Sequence, residues 1–191
     1  MHRALPPFLA ALFAANAAVA GQFVVELDAP LVAPSADLLA SHGVSFDESL
    51  SAGADSYAVF TAGDSDALAG FFAEASVHPE KVMEVLFVNS PTVDGGEPVS
   101  AELRPGHRVY VIERLIPGVG FFGLEKKQAI SANSNSAITK LGEAIEWDHS
   151  YLTSEGTYCV YRADSPETLR EHGALAGAPI GKITPVEQQV H

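Results

Sequence analysis

The sequence predicts an α+β protein in which one βαββαβ unit is used twice, and three observations lead there. Shifting the chain by 101 residues lays Ser35–Val88 on Ser136–Gln189 without a gap, with 12 of the 54 positions identical. The second half reads as strand, helix, strand, strand, helix, strand. Glycine and proline gather between the halves and at the turns within them.

The chain opens with Met1-His2-Arg3, then Ala4–Ala18, almost wholly apolar, then Ala18-Val19-Ala20 before Gly21. A basic start, an apolar run too short to span a bilayer and a small-x-small step are the layout of a secretory signal peptide over residues 1–20. A periplasmic or secreted protein is expected, with no membrane attachment after cleavage. Removal takes Arg3 with it and leaves 10 basic against 24 acidic residues, 10 − 24 = −14. That sign argues against nucleic acid and anionic membrane as partners, because a phosphate backbone is bound by Lys and Arg that displace its counterions. The one cysteine, Cys159, cannot form an internal disulfide, so packing alone must hold each unit together.

The first unit is expected over residues 21–88. Its Phe23-Val24-Val25-Glu26-Leu27 parallels Tyr110-Val111-Ile112-Glu113-Arg114 at an offset of 87, so it is 14 residues shorter ahead of Ser35 (101 − 87). Residues 89–107 hold Pro91, Gly95-Gly96, Pro98, Pro105 and Gly106, which is linker composition. The second unit covers residues 108–191. Arg108–Leu115 is a strand ended by Pro117-Gly118. Phe122–Glu143 is a helix with Leu124, Ala129, Ile130, Ala137 and Leu141 on its apolar stripe. Ile145–Leu152 and Thr157–Arg162 form a hairpin about Thr153-Ser154-Glu155-Gly156. Asp164-Ser165-Pro166-Glu167 starts a helix that runs to about Ala176, and Lys182–Gln188 is the last strand. This order is the split-βαβ, ferredoxin-like unit. Its antiparallel sheet leaves one face uncovered, and two copies can cover each other, so an intramolecular pseudo-dimer resembling a dimeric α+β barrel is expected.

The paired positions point to a site in the second copy. Cys159 stands opposite Ala58, His172 opposite Phe71, Tyr151 opposite Leu50 and His149 opposite Glu48, so the first copy is degenerate in polar groups. Helical spacing puts His172 on the sheet side with Leu169. Strand alternation puts Cys159 opposite Ser150, with Trp147, His149 and Tyr151 on the other face beside Tyr158. Cys159 and His149 are therefore not expected in one site within a module. Gly118-Val119-Gly120-Phe121-Phe122-Gly123 matches G-x-G-x-x-G, but so short a unit without alternating βαβα reads as a β–α connection rather than a dinucleotide loop.

Tyr110-Val111-Ile112-Glu113-Arg114, Pro117-Gly118, Trp147-x-x-Ser150-Tyr151, Tyr158-Cys159-Val160-Tyr161 and Glu171-His172 together resemble a small ferredoxin-like nickel-binding protein family, formerly a domain of unknown function. The resemblance covers nearly all of the second copy and implies that fold, sheet-to-sheet pairing and a divalent transition metal, nickel, as cofactor. The leading expectation is therefore an exported, non-catalytic metal-binding protein with candidate ligands Glu113, His149, Cys159 and His172. A second reading is a small-molecule enzyme of the dimeric α+β barrel type, monooxygenase- or isomerase-like, with Trp147, Ser150, Tyr151, Tyr158 and His172 about a pocket. A third is an interaction module without a site. Whether the pseudo-dimer pairs again into a homo-oligomer is left open.

Overall fold

A computed structural model describes residues 20–191; the expected leader lies outside them save for Ala20. Over the described residues the fold is α+β, with two antiparallel sheets and four α-helices. The first half runs β1 (Gly21–Leu27), α1 (Ala36–Ser41), β2 (Ser45–Ser51), β3 (Ser56–Ala62), α2 (Ser65–Ala75) and β4 (Pro79–Val85), followed by a short β5 (Phe87–Asn89). The second runs β6 (Arg108–Leu115), α3 (Leu124–Leu141), β7 (Ile145–Leu152), β8 (Gly156–Ala163), α4 (Pro166–Ala176) and β9 (Ile183–Pro185), followed by β10 (Gln188–Val190). One sheet has the order β10-β2-β3-β1-β4 and the other β5-β7-β8-β6-β9, the ferredoxin-like arrangement with one strand added to each.

Those added strands are exchanged. β5 ends the first half yet pairs with β7, Val88 facing Tyr151; β10 ends the second half yet pairs with β2, Gln189 facing Leu50. The register is the same in both pairings, since 88 and 189, like 50 and 151, differ by 101. The strand expected over Lys182–Gln188 is thus two short strands in different sheets. Pro185 has no N–H to continue the ladder. The Val186 amide still reaches Val109 O (2.9 Å) while that of Glu187 already reaches Ser51 O (2.8 Å).

The two sheets pack face to face through Val24, Leu50, Tyr57, Val59, Met83, Val111, Tyr151, Tyr158 and Val160. Each outer face carries its own helices. In the first half that layer is hydrocarbon, with Leu27, Phe60, Leu68, Phe71 and Phe72 packed together. Helix starts are fixed locally: Asp64 caps the amide of Ala67, and Ser165, 101 residues on, caps that of Thr168.

A bulge recurs at matching places, between Phe46 and Glu48 in β2 and between Trp147 and His149 in β7. The extra residue reverses the alternation. Trp147 therefore lies on the helix side with Cys159, and His149 on the side between the sheets. The expectation that Trp147 shares a face with Tyr151 and His149 is corrected by that one residue.

The stripe expected on α3 is also corrected. Of its five residues only Ala137 is buried; Leu124 is 59% exposed. The buried face is Lys127, Ser131, Ser134 and Ala137. A helix that turns hydroxyls toward a sheet cannot fill the layer beneath it.

Candidate functional site

The space left under α3 is a cavity of about 230 Å³ between the second sheet and helices α3 and α4. Ile116, Val119, Ile130, Leu152 and Pro179 give it largely apolar walls. Among the polar side chains that line it are Arg114 from β6, Cys159 and Tyr161 from β8, and His172 from α4. The exchanged strand β5 contributes Asn89, whose Oδ1 accepts from Ser131 Oγ at 2.8 Å.

His172 is 1% exposed. Its Nε2 is 3.1 Å from Ser134 Oγ, its ring tilts against Tyr161, and its Nδ1 has no partner among the described residues. Burial, and then the positive charge of Arg114, hold its pKa down at about 4, so the imidazole is neutral at pH 7. In the tautomer that donates from Nε2 to Ser134, Nδ1 presents a free lone pair.

Arg114 is 5% exposed. Its Nη1 donates to Pro179 O, while Nη2 is buried without a partner. Burial opposes its charge, and the neighbouring Cys159 and Tyr161 favour it. No Asp, Glu or Lys is among the lining residues. Trp147 donates from Nε1 to Ser150 Oγ (3.0 Å) and stacks on Tyr161, which fixes one wall. The Cys159 Sγ lies 3.1 Å from Thr157 Oγ1.

Of the residues singled out in the sequence, His172, Cys159, Trp147 and Ser150 line this cavity. Tyr151 and Tyr158 do not; both belong to the layer between the sheets. Tyr151 OH donates to Glu48 Oε2 at 2.8 Å, and Tyr158 OH donates to Glu26. His149 lies in that layer too, 3.1 Å from both Glu48 Oε2 and Asp148 Oδ1. Burial alone would depress its pKa, but hydrogen bonds to those two carboxylates outweigh it and lift the value to about 9. Glu113 accepts from Tyr57 OH at 2.6 Å and lies 3.7 Å from Lys182 Nζ.

Three residues of the site were missed: Arg114, Tyr161 and Asn89. The repeat carried a signal for the first two, because Leu27 stands opposite Arg114 and Phe60 opposite Tyr161. In the first half Leu27, Ala58, Phe60 and Phe71 occupy the corresponding places as core hydrocarbon. Asn89 had no such signal, since the exchange of β5 leaves no mark on residue type. The glycine loop is a structural connection: the amides of Gly118 and Gly120 donate to Ser154 O (2.7 Å) and Thr153 O (2.9 Å), so they are not free to cradle phosphate.

Residues 110–186 match the family described as Nickel responsive protein SCO4226-like. No protein of curated function matches the sequence. Solved structures with similar folds include a chlorite dismutase mutant from Candidatus Nitrospira defluvii, at 10% identity, covering 91% of this chain and 93% of that one, with a TM-score of 0.47. The imidazole complex of the same organism's enzyme gives 10%, 91%, 93% and 0.44. A proposed monooxygenase from Lactobacillus acidophilus NCFM gives 9%, 87%, 92% and 0.40.

The expectation of a non-catalytic metal-binding protein is corrected. Its four candidate ligands fall in three places: Cys159 and His172 at the cavity, His149 in an ion pair between the sheets, and Glu113 on a phenol of the other half. Among the described residues no three His, Cys, Asp or Glu side chains converge. The nickel of the family's description does not fit the cavity either, because Cys159 and His172 share it with the Arg114 guanidinium, which repels a divalent cation.

Proposed function

We propose that this chain is a small-molecule enzyme of the dimeric α+β barrel type, isomerase-like, working by proton transfer in the cavity of its second half. The observation that carries this is His172, a buried neutral imidazole on the wall of a mostly apolar cavity, whose Nδ1 has no hydrogen-bond partner among the described residues. A group so placed costs free energy unless a ligand completes it. Bound there, a substrate with an acidic C–H beside a carbonyl gives its proton to Nδ1. The electron pair moves onto the carbonyl oxygen as an enolate, and the proton returns at another carbon. The apolar part of the wall strengthens the polar contacts made beside it in the reaction.

The remainder of the reading goes with it. The two halves arose by duplication with loss of the site in the first, supported by the constant offset of 101 across β2, β3, α2 and the exchanged strands. The chain is exported; amino-terminal sequencing of the secreted product should begin at Gly21, and retention of residues 1–20 would refute export.

The enzymatic reading is tested by deuterium exchange in D2O followed by NMR, with a panel of small keto acids, enones and lactones and with His172→Gln as control. Exchange or isomerisation of at least one compound, reduced about 100-fold or more by the substitution, is expected for a lost acid–base group. Equal rates for the two proteins across the panel would refute it.

A further inference from the structure

Arg114 is unusual in its surroundings as much as in its burial. It is 5% exposed, one guanidinium nitrogen is spent on the carbonyl of Pro179, and another has no partner. A buried cation without a counter-ion is unfavourable, because desolvation is offset only when an opposite charge or full hydrogen bonding replaces the water. None of the residues lining the cavity bears a carboxylate. The half of the molecule that has no cavity polar groups has Leu27 at the matching place, and its sheet and helices pack there around hydrocarbon. The fold therefore accepts a leucine in this position, and the guanidinium is not needed to hold the layer together.

We propose that Arg114 is an anion subsite and that the cavity takes a small organic carboxylate with an apolar body. This deepens the reading given above and rests on the same cavity. The guanidinium on the cavity wall holds the carboxylate by a charge-assisted hydrogen bond, and the ligand supplies the negative charge that the lining lacks. The body of the ligand lies against Ile116, Val119, Ile130 and Leu152, which is why an organic acid fits and a bare inorganic anion does not. The about 230 Å³ available admits a single ring or a short branched chain. His172 lines the same cavity as Arg114, so the anchored end and the reacting end of the substrate belong to one small molecule.

The test is calorimetric titration of the full protein with benzoate, cyclohexanecarboxylate and crotonate, beside their neutral amides and inorganic phosphate. At least one acid should bind about tenfold or more tightly than its amide, the ratio set by a charged hydrogen bond, and phosphate should bind more weakly than that acid. Arg114→Leu should remove the preference for acids and leave amide binding in place. Equal affinity for acid and amide would overturn the anion subsite while leaving the cavity as a ligand site. Phosphate binding as well as the acids would overturn the organic ligand. Failure of every compound would overturn the cavity as a binding site and this inference with it. The acid-to-amide comparison uses the unaltered protein and so does not depend on how the variant folds.

Discussion

The ion pair between the halves makes stability depend on pH in a calculable way. His149 sits between Glu48 and Asp148 with its pKa lifted from 6.5 to about 9. Between those values the folded protein holds a proton that the unfolded chain has released, so stability falls as pH rises. The contribution is complete below about 6.5 and is gone above about 9. At 1.36 kcal/mol for each unit of pKa, it amounts to roughly 3 kcal/mol. On the acid side the signs reverse. Burial pushes Glu48 and Asp148 up, yet their bonds to His149 hold both below their ordinary values, so their contribution is lost as pH falls below the usual carboxylate range. His172, held near 4 by burial and by Arg114, also favours folding above 6.5 and loses that advantage as pH falls toward 4. The window from 6.5 to 9 therefore isolates His149. Urea unfolding at half-unit steps should show stability declining by roughly 3 kcal/mol across it, and His149→Gln should flatten the decline. A wild-type curve that is level or rising there, or a variant with the same slope, would refute this account of the interface.

Three other outcomes follow from the same geometry. Imidazole resonances of His172 should titrate near 4, and bound benzoate should move that midpoint upward by offsetting the charge of Arg114; a midpoint near 6.5 in the free protein would refute its burial beside a cation. Tyr57→Phe and Tyr158→Phe remove reciprocal phenol–carboxylate bonds to Glu113 and Glu26. Each should cost about 1 kcal/mol in denaturant unfolding, and a loss from only one of them would contradict the matching roles. Gly120→Ala places a Cβ 2.7 Å from Thr153 O and from Leu86 Cδ1. It should cost about 1–3 kcal/mol and displace the loop beside the cavity, seen as a lower melting temperature; an unchanged melt would show that the loop yields freely.

The strands whose ends carry turn residues were legible: Arg108–Leu115 and Ile145–Leu152 lie where alternation and the following turns put them. Three features were not. The bulge before His149 turned Trp147 to the opposite face, and nothing in Trp-Asp-His signals an extra residue. In α3, leucine and isoleucine suggested the buried side, but the sheet beneath is met by serines, since the cavity removes the demand for hydrocarbon there. The site itself was half visible. Pairing His172 with Phe71 and Cys159 with Ala58 pointed to the right layer, whereas an arginine at the end of a strand reads as an ordinary exposed residue until its burial is seen. Glu113 and His149 were attractive as ligands for the same reason that they matter elsewhere, being polar groups required at a desolvated boundary.

The crossing of β5 and β10 ties the halves together more firmly than the connecting peptide does. A cut anywhere between Gly95 and Gly106 would yield two fragments, each still lending three residues to the other's ladder, so nicked protein should migrate as one particle until denatured. The second half made alone would expose the flank of β7, lose Asn89 from the cavity wall and carry a tail with no sheet to join. The cavity beneath α3 and α4 is in this way physically dependent on a companion half whose own matching layer is hydrocarbon.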